Sequence, residues 1–286
     1  MKQLFITECP RDAMQGISEF IPTDVKVNYL NQLLKVGFDV LDFGSFVSPK
    51  AIPQLADTAF VIDRLELGHT QTQLLSIVAN YRGAEQAAAY QQISYIGFPL
   101  SVSETFQQRN TNKSIEQALA DVALMQDLCL QKNKKLVVYL SMAFGNPYDD
   151  AYSCEMVAEL ANKLIDWNVA EIALADTIGS SNKESIAELF QVLGKHFPTQ
   201  QFIAHLHSNP YTAFEKIEAA YEAGCTKFDT AMLGFGGCPM AKDELTGNLA
   251  TESLLSFART QGLATTINPE EFEKSVVAAQ SIFITH

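Results

Sequence analysis

EIALADTIGSSNKESIAELFQVLGKHFPTQQFIAHLHS, Glu171 to Ser208, holds one complete strand–helix–strand unit. Glu171 to Leu174 and Phe202 to His205 are short apolar, β-rich runs. Between them, Lys183 to His196 carries its apolar residues on one helical stripe. Two strands joined by a helix in this way run parallel, with the helix as crossover. The same rhythm extends in both directions. Further strands are expected at Gln3 to Thr7, Val40 to Phe43, Leu75 to Ala79, Ile93 to Phe98, Leu136 to Leu140 and Lys227 to Thr230. Helices are expected at Asp24 to Lys35, Ser114 to Leu130, Cys154 to Asp166 and Ala213 to Ala223. The second of these opens with a capping box, Ser114 and Gln117. Eight such units in about 260 residues match a closed (β/α)8 TIM barrel with parallel strands. An open doubly wound sheet is the rival. It would place a Gly-rich turn after the first strand, where this chain reads ECPRDAMQG. No linker or low-complexity stretch divides residues 1–286, so a single barrel domain is expected.

A barrel carries its chemistry at the C-terminal ends of its strands. Polar and titratable residues recur at those ends: Arg11 and Asp12 after the first, Asp42 and Ser45 after the second, and Ser103 and Glu104 after the fourth. Asp176 and Thr177 follow the sixth, and His205 and His207 close the seventh. After the eighth come GFGGCP with Cys238, then GNLATE with Asn248 and Glu252. Two histidines at i and i+2 point to one face of a strand, where one divalent ion can take a nitrogen from each. Asp12 adds a carboxylate from the neighbouring first strand, and Asn248 an amide oxygen. A mixed N/O set of this kind suits Mg²⁺, Mn²⁺ or another octahedral ion better than a closed zinc site. Read singly, each has another use: Asp12 as a cap, Asn248 as a turn residue after Gly247, Cys238 as a small apolar residue or a proton carrier. Arg11 beside Asp12 would stabilise negative charge growing on a substrate oxygen, as enolate chemistry requires.

Composition narrows the partners. The formal net charge of −13 disfavours nucleic acid and anionic membrane surfaces. No apolar run approaches the length of a membrane span, and the N-terminus does not read as a signal peptide. The five cysteines are scattered, odd in number and without a C-x-x-C pair, so a cytoplasmic setting is expected.

The chain resembles the 3-hydroxy-3-methylglutaryl-CoA lyases, within the metal-dependent acyl-CoA lyases and synthases. The matching pieces are CPRDAMQG, SFVSPKAIPQLADT, SETFQQRNTNKSIEQ, ADTIG, HLH, GFGGCPMA and GNLATE, in family order along almost the whole chain. The resemblance implies Asp12, His205, His207 and Asn248 as ligands of Mg²⁺ or Mn²⁺, Arg11 as stabiliser of the acetyl-CoA enolate, and Cys238 in proton transfer. Asp42 and Glu252 join the catalytic group, and Gln15, Asp176 and Ser141 the substrate-binding one. The implied reaction cleaves an acyl-CoA to acetyl-CoA and acetoacetate, as in leucine degradation, and family members are often homodimers. The alternatives are a condensing synthase, whose relatives usually carry extra C-terminal domains, and a barrel that binds a metabolite without turnover. Several positions depart from the family pattern. Asp42 stands for Glu, Asn146 for Cys, and Gly16-Ile17-Ser18 lacks a basic residue. His207 is followed by Ser208-Asn209-Pro210 rather than by an acidic residue, so no carboxylate is expected to support the metal side.

Overall fold

The computed structural model describes residues 2–237 and 246–283. Its strands are β1 (Phe5–Glu8), β2 (Val40–Ser45), β3 (Gln73–Ile77), β4 (Ile93–Ser101), β5 (Lys135–Ser141), β6 (Glu171–Ala175), β7 (Phe202–His205) and β8 (Lys227–Thr230). All are parallel and close in chain order, with β1 paired to both β2 and β8. The described helices are α1 (Pro10–Gln15), α2 (Thr23–Leu33), α3 (Thr58–Ile62), α4 (Tyr81–Ala88), α5 (Glu104–Thr111), α6 (Ile115–Gln131), α7 (Cys154–Asp166), α8 (Lys183–His196), α9 (Ala213–Glu222), α10 (Thr251–Gln261) and α11 (Pro269–Phe283). The expected barrel is therefore the observed one. None of the described helices is long and apolar enough to cross a membrane.

Strand ends differ from the sequence reading in instructive places. β4 runs three residues past Phe98, through Pro99, and pairs Ser101 with Ser141. A proline inside a strand argues against strand, so the run reads as finished too early. β3 begins at Gln73 and stops at Ile77, because Asn80 already caps α4 by accepting from the Gly83 N–H (3.0 Å).

Apolar side chains divide into two cores. The larger lies between strands and helices. The smaller fills the barrel and includes Val40, Leu75, Tyr95, Val137, Tyr139 and Ile203. Side chains alternate along each strand, so two residues beyond these interior positions the same face presents Asp42, Ser141 and His205. On β8 the alternation that starts at Lys227 presents Asp229. The barrel interior is thus apolar at mid-height and polar at its C-terminal mouth.

Two carboxyl groups, buried Glu8 and half-buried Glu252, hold the segment after β8. Glu8 accepts from the Met232 N–H (2.7 Å) and the Thr251 hydroxyl (2.6 Å), and Glu252 accepts twice from the Leu233 N–H (3.2 and 3.0 Å). Together they hold the start of the segment leading to Gly236. Burial raises the Glu8 carboxyl to about 8, with the neighbouring Glu252 charge adding to the effect. Folded Glu8 therefore holds its proton more tightly than unfolded Glu8. Its contribution to stability is full below about pH 4.5 and is lost as pH rises through 8. A shift of that size corresponds to roughly 5 kcal/mol at most. Glu8→Gln keeps both hydrogen bonds, with the Thr251 hydroxyl turned to accept. Its melting temperature should fall less between pH 6 and pH 9 than that of the wild type. Equal slopes in thermal scans would remove Glu8 as the titrating group.

Candidate active site

Pro10 starts α1 directly after β1, and the first turn of α1 delivers Arg11 and Asp12 to the barrel mouth. Both are buried. The Arg11 guanidinium is held on three sides. Its Nε and Nη2 donate to Asp42 Oδ2 (2.9 and 2.6 Å), and its Nη1 donates to Asp12 Oδ1 (2.8 Å) and Gln15 Oε1 (2.9 Å). Asp42 meets it with one oxygen only. Its Oδ1 is buried with no partner among the described residues, as the shorter reach of Asp at this position would produce.

Asp12 is fixed at both oxygens. Oδ1 accepts from Gln15 Nε2 (2.5 Å) as well as from Arg11, and Oδ2 accepts from Asn248 Nδ2 (2.7 Å). Asn248 forms a backbone bridge to His207 and also donates to the Phe235 carbonyl (2.9 Å). Gly236 packs against this group so closely that a Cβ would lie 2.5 Å from Asn248 Nδ2 and 2.9 Å from the Asp12 carbonyl oxygen. Its φ of +98° is a second reason for glycine there.

Asp12, His205 and His207 each offer a ligand atom, all within 4.8 Å of one another. They come from opposite ends of the chain and meet because β8 lies between β1 and β7. His205 Nδ1 lies 3.1 Å from Asp229 Oδ2. With the ring hydrogen on Nδ1, the Nε2 lone pair is left for an ion. This corrects the expectation that no carboxylate supports the metal side. The supporting carboxylate comes from β8, directly opposite His205 in the ladder, rather than from the residue after His207.

Electrostatics set the two rings apart. Burial, with the neighbouring His205 charge, pushes His207 down to about 4, so it is neutral near pH 7. His205 is also opposed by burial, but Asp229 and Asp12 outweigh it and raise its value. Burial raises Asp42 to about 6 despite Arg11, whereas for Asp12 the charges of Arg11 and the two histidines overcome burial and lower it. Asp12 and Asp42 contact the Arg11 guanidinium and Asp229 contacts His205, so carboxyl groups outnumber fixed cations at this mouth.

A cavity of about 500 Å³ opens over this group. Arg11, Asp12, Gln15, Ser141, His205 and His207 line it, with Thr177 and Arg109. Asp176 does not. It accepts from Lys216 Nζ (2.9 Å) and the Ser181 hydroxyl (2.5 Å), and Lys216 Nζ also donates to the His207 carbonyl (2.7 Å). This ion pair braces the backbone of His207 from behind. Glu252 also lies off the cavity wall, on Leu233. Asn146 shapes a loop rather than the site, accepting from the Tyr148 and Asp150 N–H groups (3.0 and 3.2 Å). Asp150 in turn accepts from Ser103, the cap of α5 (2.5 Å). Cys238 lies outside the described residues.

Asp229, Lys216, Glu8 and Arg109 were not singled out in the sequence. For Asp229 a signal exists. Counting by two along β8 puts it on the interior face, level with His205.

Known proteins share this architecture and sequence. Bacillus subtilis hydroxymethylglutaryl-CoA lyase YngG is 34% identical over 276 residues, covering 96% of this chain and 89% of its own. The crystal structure of the HMG-CoA lyase of Brucella melitensis superposes with a TM-score of 0.92 at 26% identity, covering 99% of this chain and 100% of its own. The HMG-CoA lyase of Acinetobacter baumannii, solved in complex with coenzyme A and 3-methylmalate, gives 0.90 at 28% identity, with 98% and 91% covered. A family model described as HMGL-like matches residues 3–276. By fold and sequence the chain belongs to the HMGL-like family.

Proposed function

We propose that this chain is a lyase that cleaves 3-hydroxy-3-methylglutaryl-CoA to acetyl-CoA and acetoacetate with Mg²⁺ or Mn²⁺. The observation that carries the reading is the meeting of Arg11 with Asp12, His205 and His207 on the wall of one cavity. The donors are nitrogen and oxygen, and carboxyl groups outnumber fixed cations around them. Both features suit a hard or borderline dication. Asp12, His205 and His207 would hold it, with the Asn248 amide oxygen as a fourth donor. Once bound, the ion supplies Lewis acidity that lowers the pKa of the tertiary hydroxyl and fixes the substrate.

The remaining work falls to the protein. Arg11 cannot swing, because Asp42, Asp12 and Gln15 pin it, so its charge is already in place when the enolate of acetyl-CoA forms. Gln15 and Ser141 contact the acyl portion from the cavity wall. Asp176, through Lys216, positions His207 rather than touching substrate, and Glu252 positions the segment leading to Cys238. Cys238 passes the proton. Val47, Ile52, Val78, Pro99 and Phe106 form an apolar wall suited to a pantetheine arm, and the exposed Arg109 lies beside it. The coenzyme A bound by the Acinetobacter lyase supports an acyl-CoA substrate. The same reading makes the protein a cytoplasmic homodimer. A condensing synthase is less favoured, because the similar proteins are named as lyases.

Acetyl-CoA release from 3-hydroxy-3-methylglutaryl-CoA tests the proposal. Activity should vanish in chelator and return with Mg²⁺ or Mn²⁺. Metal binding without turnover of any acyl-CoA thioester would leave a binding barrel. Consumption of acetyl-CoA would select the synthase.

A further inference from the structure

A second set of metal-capable atoms lies beside the outer triad, at the barrel's C-terminal mouth. Cys9, His205 and Asp229 each offer a ligand atom, all within 4.8 Å of one another. The ladders fix this meeting. Asp229 is the β8 partner of both Thr7 and His205, and the Cys9 N–H donates to the Thr230 carbonyl (2.8 Å). Cys9 and Asp229 are almost fully buried. Asp229 gives Oδ2 to His205, but its Oδ1 is buried with no partner among the described residues, and Asp42 Oδ1 is in the same condition. The Cys9 thiol donates to the Thr7 carbonyl (3.8 Å); burial first, and then the neighbouring carboxylates, oppose its ionisation while this site is empty. A buried carboxylate oxygen without a donor is costly, and Asp229 Oδ1, in the same cluster as the thiol, points to a positive occupant.

We propose that Cys9 Sγ, His205 Nδ1 and Asp229 form an inner seat for a thiophilic dication such as Zn²⁺, Cd²⁺ or Co²⁺. The sulfur, nitrogen and oxygen donors suit such an ion and do not suit Mg²⁺. The 3.1 Å between His205 Nδ1 and Asp229 Oδ2 is close to the edge of about 3.3 Å expected for tetrahedral zinc. On binding, the Cys9 S–H bond breaks, its proton leaves to solvent and a sulfur–metal bond forms. The Nδ1 hydrogen of His205 moves to Nε2. Nε2 then has no lone pair for the outer triad of Asp12, His205 and His207. Inner and outer seats therefore compete for one imidazole, so a thiophilic ion acts as an antagonist of the outer one. The seat is independent of which thioester the cavity takes.

Titrating the Mg²⁺-loaded protein with Co²⁺ tests this, because thiolate–cobalt ligation gives an intense near-ultraviolet band that nitrogen and oxygen sites lack. One equivalent should raise the band in wild type and in Cys238→Ser, but not in Cys9→Ser. A band missing from wild type, kept in Cys9→Ser or lost in Cys238→Ser overturns the seat. Cobalt X-ray absorption on Cys238→Ser gives an answer that does not need Cys9→Ser to fold. One sulfur at about 2.3 Å is expected, and a shell of nitrogen and oxygen alone overturns it.

Discussion

Arg11→Met should lower turnover about a thousandfold or more while leaving cation affinity within a few-fold of wild type. The guanidinium donates four hydrogen bonds, all to side chains, and none of its partners depends on it for a metal-binding geometry of its own. Asp12 keeps Gln15 and Asn248 as donors after the substitution. What disappears is positive charge at the position where the enolate forms, and such a donor acts on the transition state more than on the bound substrate. kcat should therefore fall far more than KM rises. A structural cost comes with it, because Asp42 is left buried without its cation. Already raised to about 6 by burial, it will rise further and take up a proton near neutrality. Some loss of melting temperature is thus expected, and Arg11→Met with Asp42→Asn should recover part of it without recovering turnover. Arg11→Lys is the sharper control. It retains the charge but cannot fork between Asp42 and Asp12, so it should fall between wild type and Met. Turnover of Arg11→Met near wild type, in an acetyl-CoA release assay, would remove Arg11 from the chemistry. A parallel collapse of metal binding in calorimetry would make it a structural residue instead.

How far the sequence reveals this site follows from how local each signal is. Strands were legible because a βα rhythm repeats within single segments. Arg11, Asp12, His205 and His207 were legible because each sits where such a segment ends. Asp229 was not, because its role comes from β7, a strand 24 residues earlier, and KFDT alone is only a short strand with one acid. Lys216 was hidden for a related reason. On α9 it reads as a solvated lysine, and only the fold brings Asp176 and the His207 carbonyl to it. Asp176 shows the converse. Its place after a strand predicts a cavity residue, yet the turn to Ser181 and the pull of Lys216 draw it behind His207. The helices α1, α3, α4, α5, α10 and α11 carried no expectation; in YRGAEQAA the buried face is Gly83, Ala84, Ala87 and Ala88, side chains too small to stand out as an apolar stripe.

His205→Ala should weaken Mg²⁺ or Mn²⁺ binding by about a hundredfold or more, and activity should follow the lost occupancy. His207 cannot compensate. It is neutral at pH 7 and already a ready donor, so nothing is gained there when its neighbour is removed. Asp12 and His207, even with the Asn248 amide oxygen, leave a site with a single nitrogen donor that water can outcompete. Asp229→Asn gives the graded test. The Asn oxygen can still accept from Nδ1–H and keep the tautomer, but the carboxylate charge that makes the ring basic is gone. Affinity should drop by about ten- to a hundredfold, less than for His205→Ala. The pH dependence separates the two effects. In the wild type a proton on His205, favoured by Asp229 and Asp12, competes with the ion, so affinity should rise with pH through the His205 titration. Without the Asp229 charge that proton is held less tightly, and the rise should move to lower pH even as the plateau falls. An affinity loss with an unshifted pH profile would mean that Asp229 only packs against the ring. A calorimetric titration of His205→Ala indistinguishable from wild type would take His205 out of the ligand set, and the argument for a cation between the two ends of the chain would go with it.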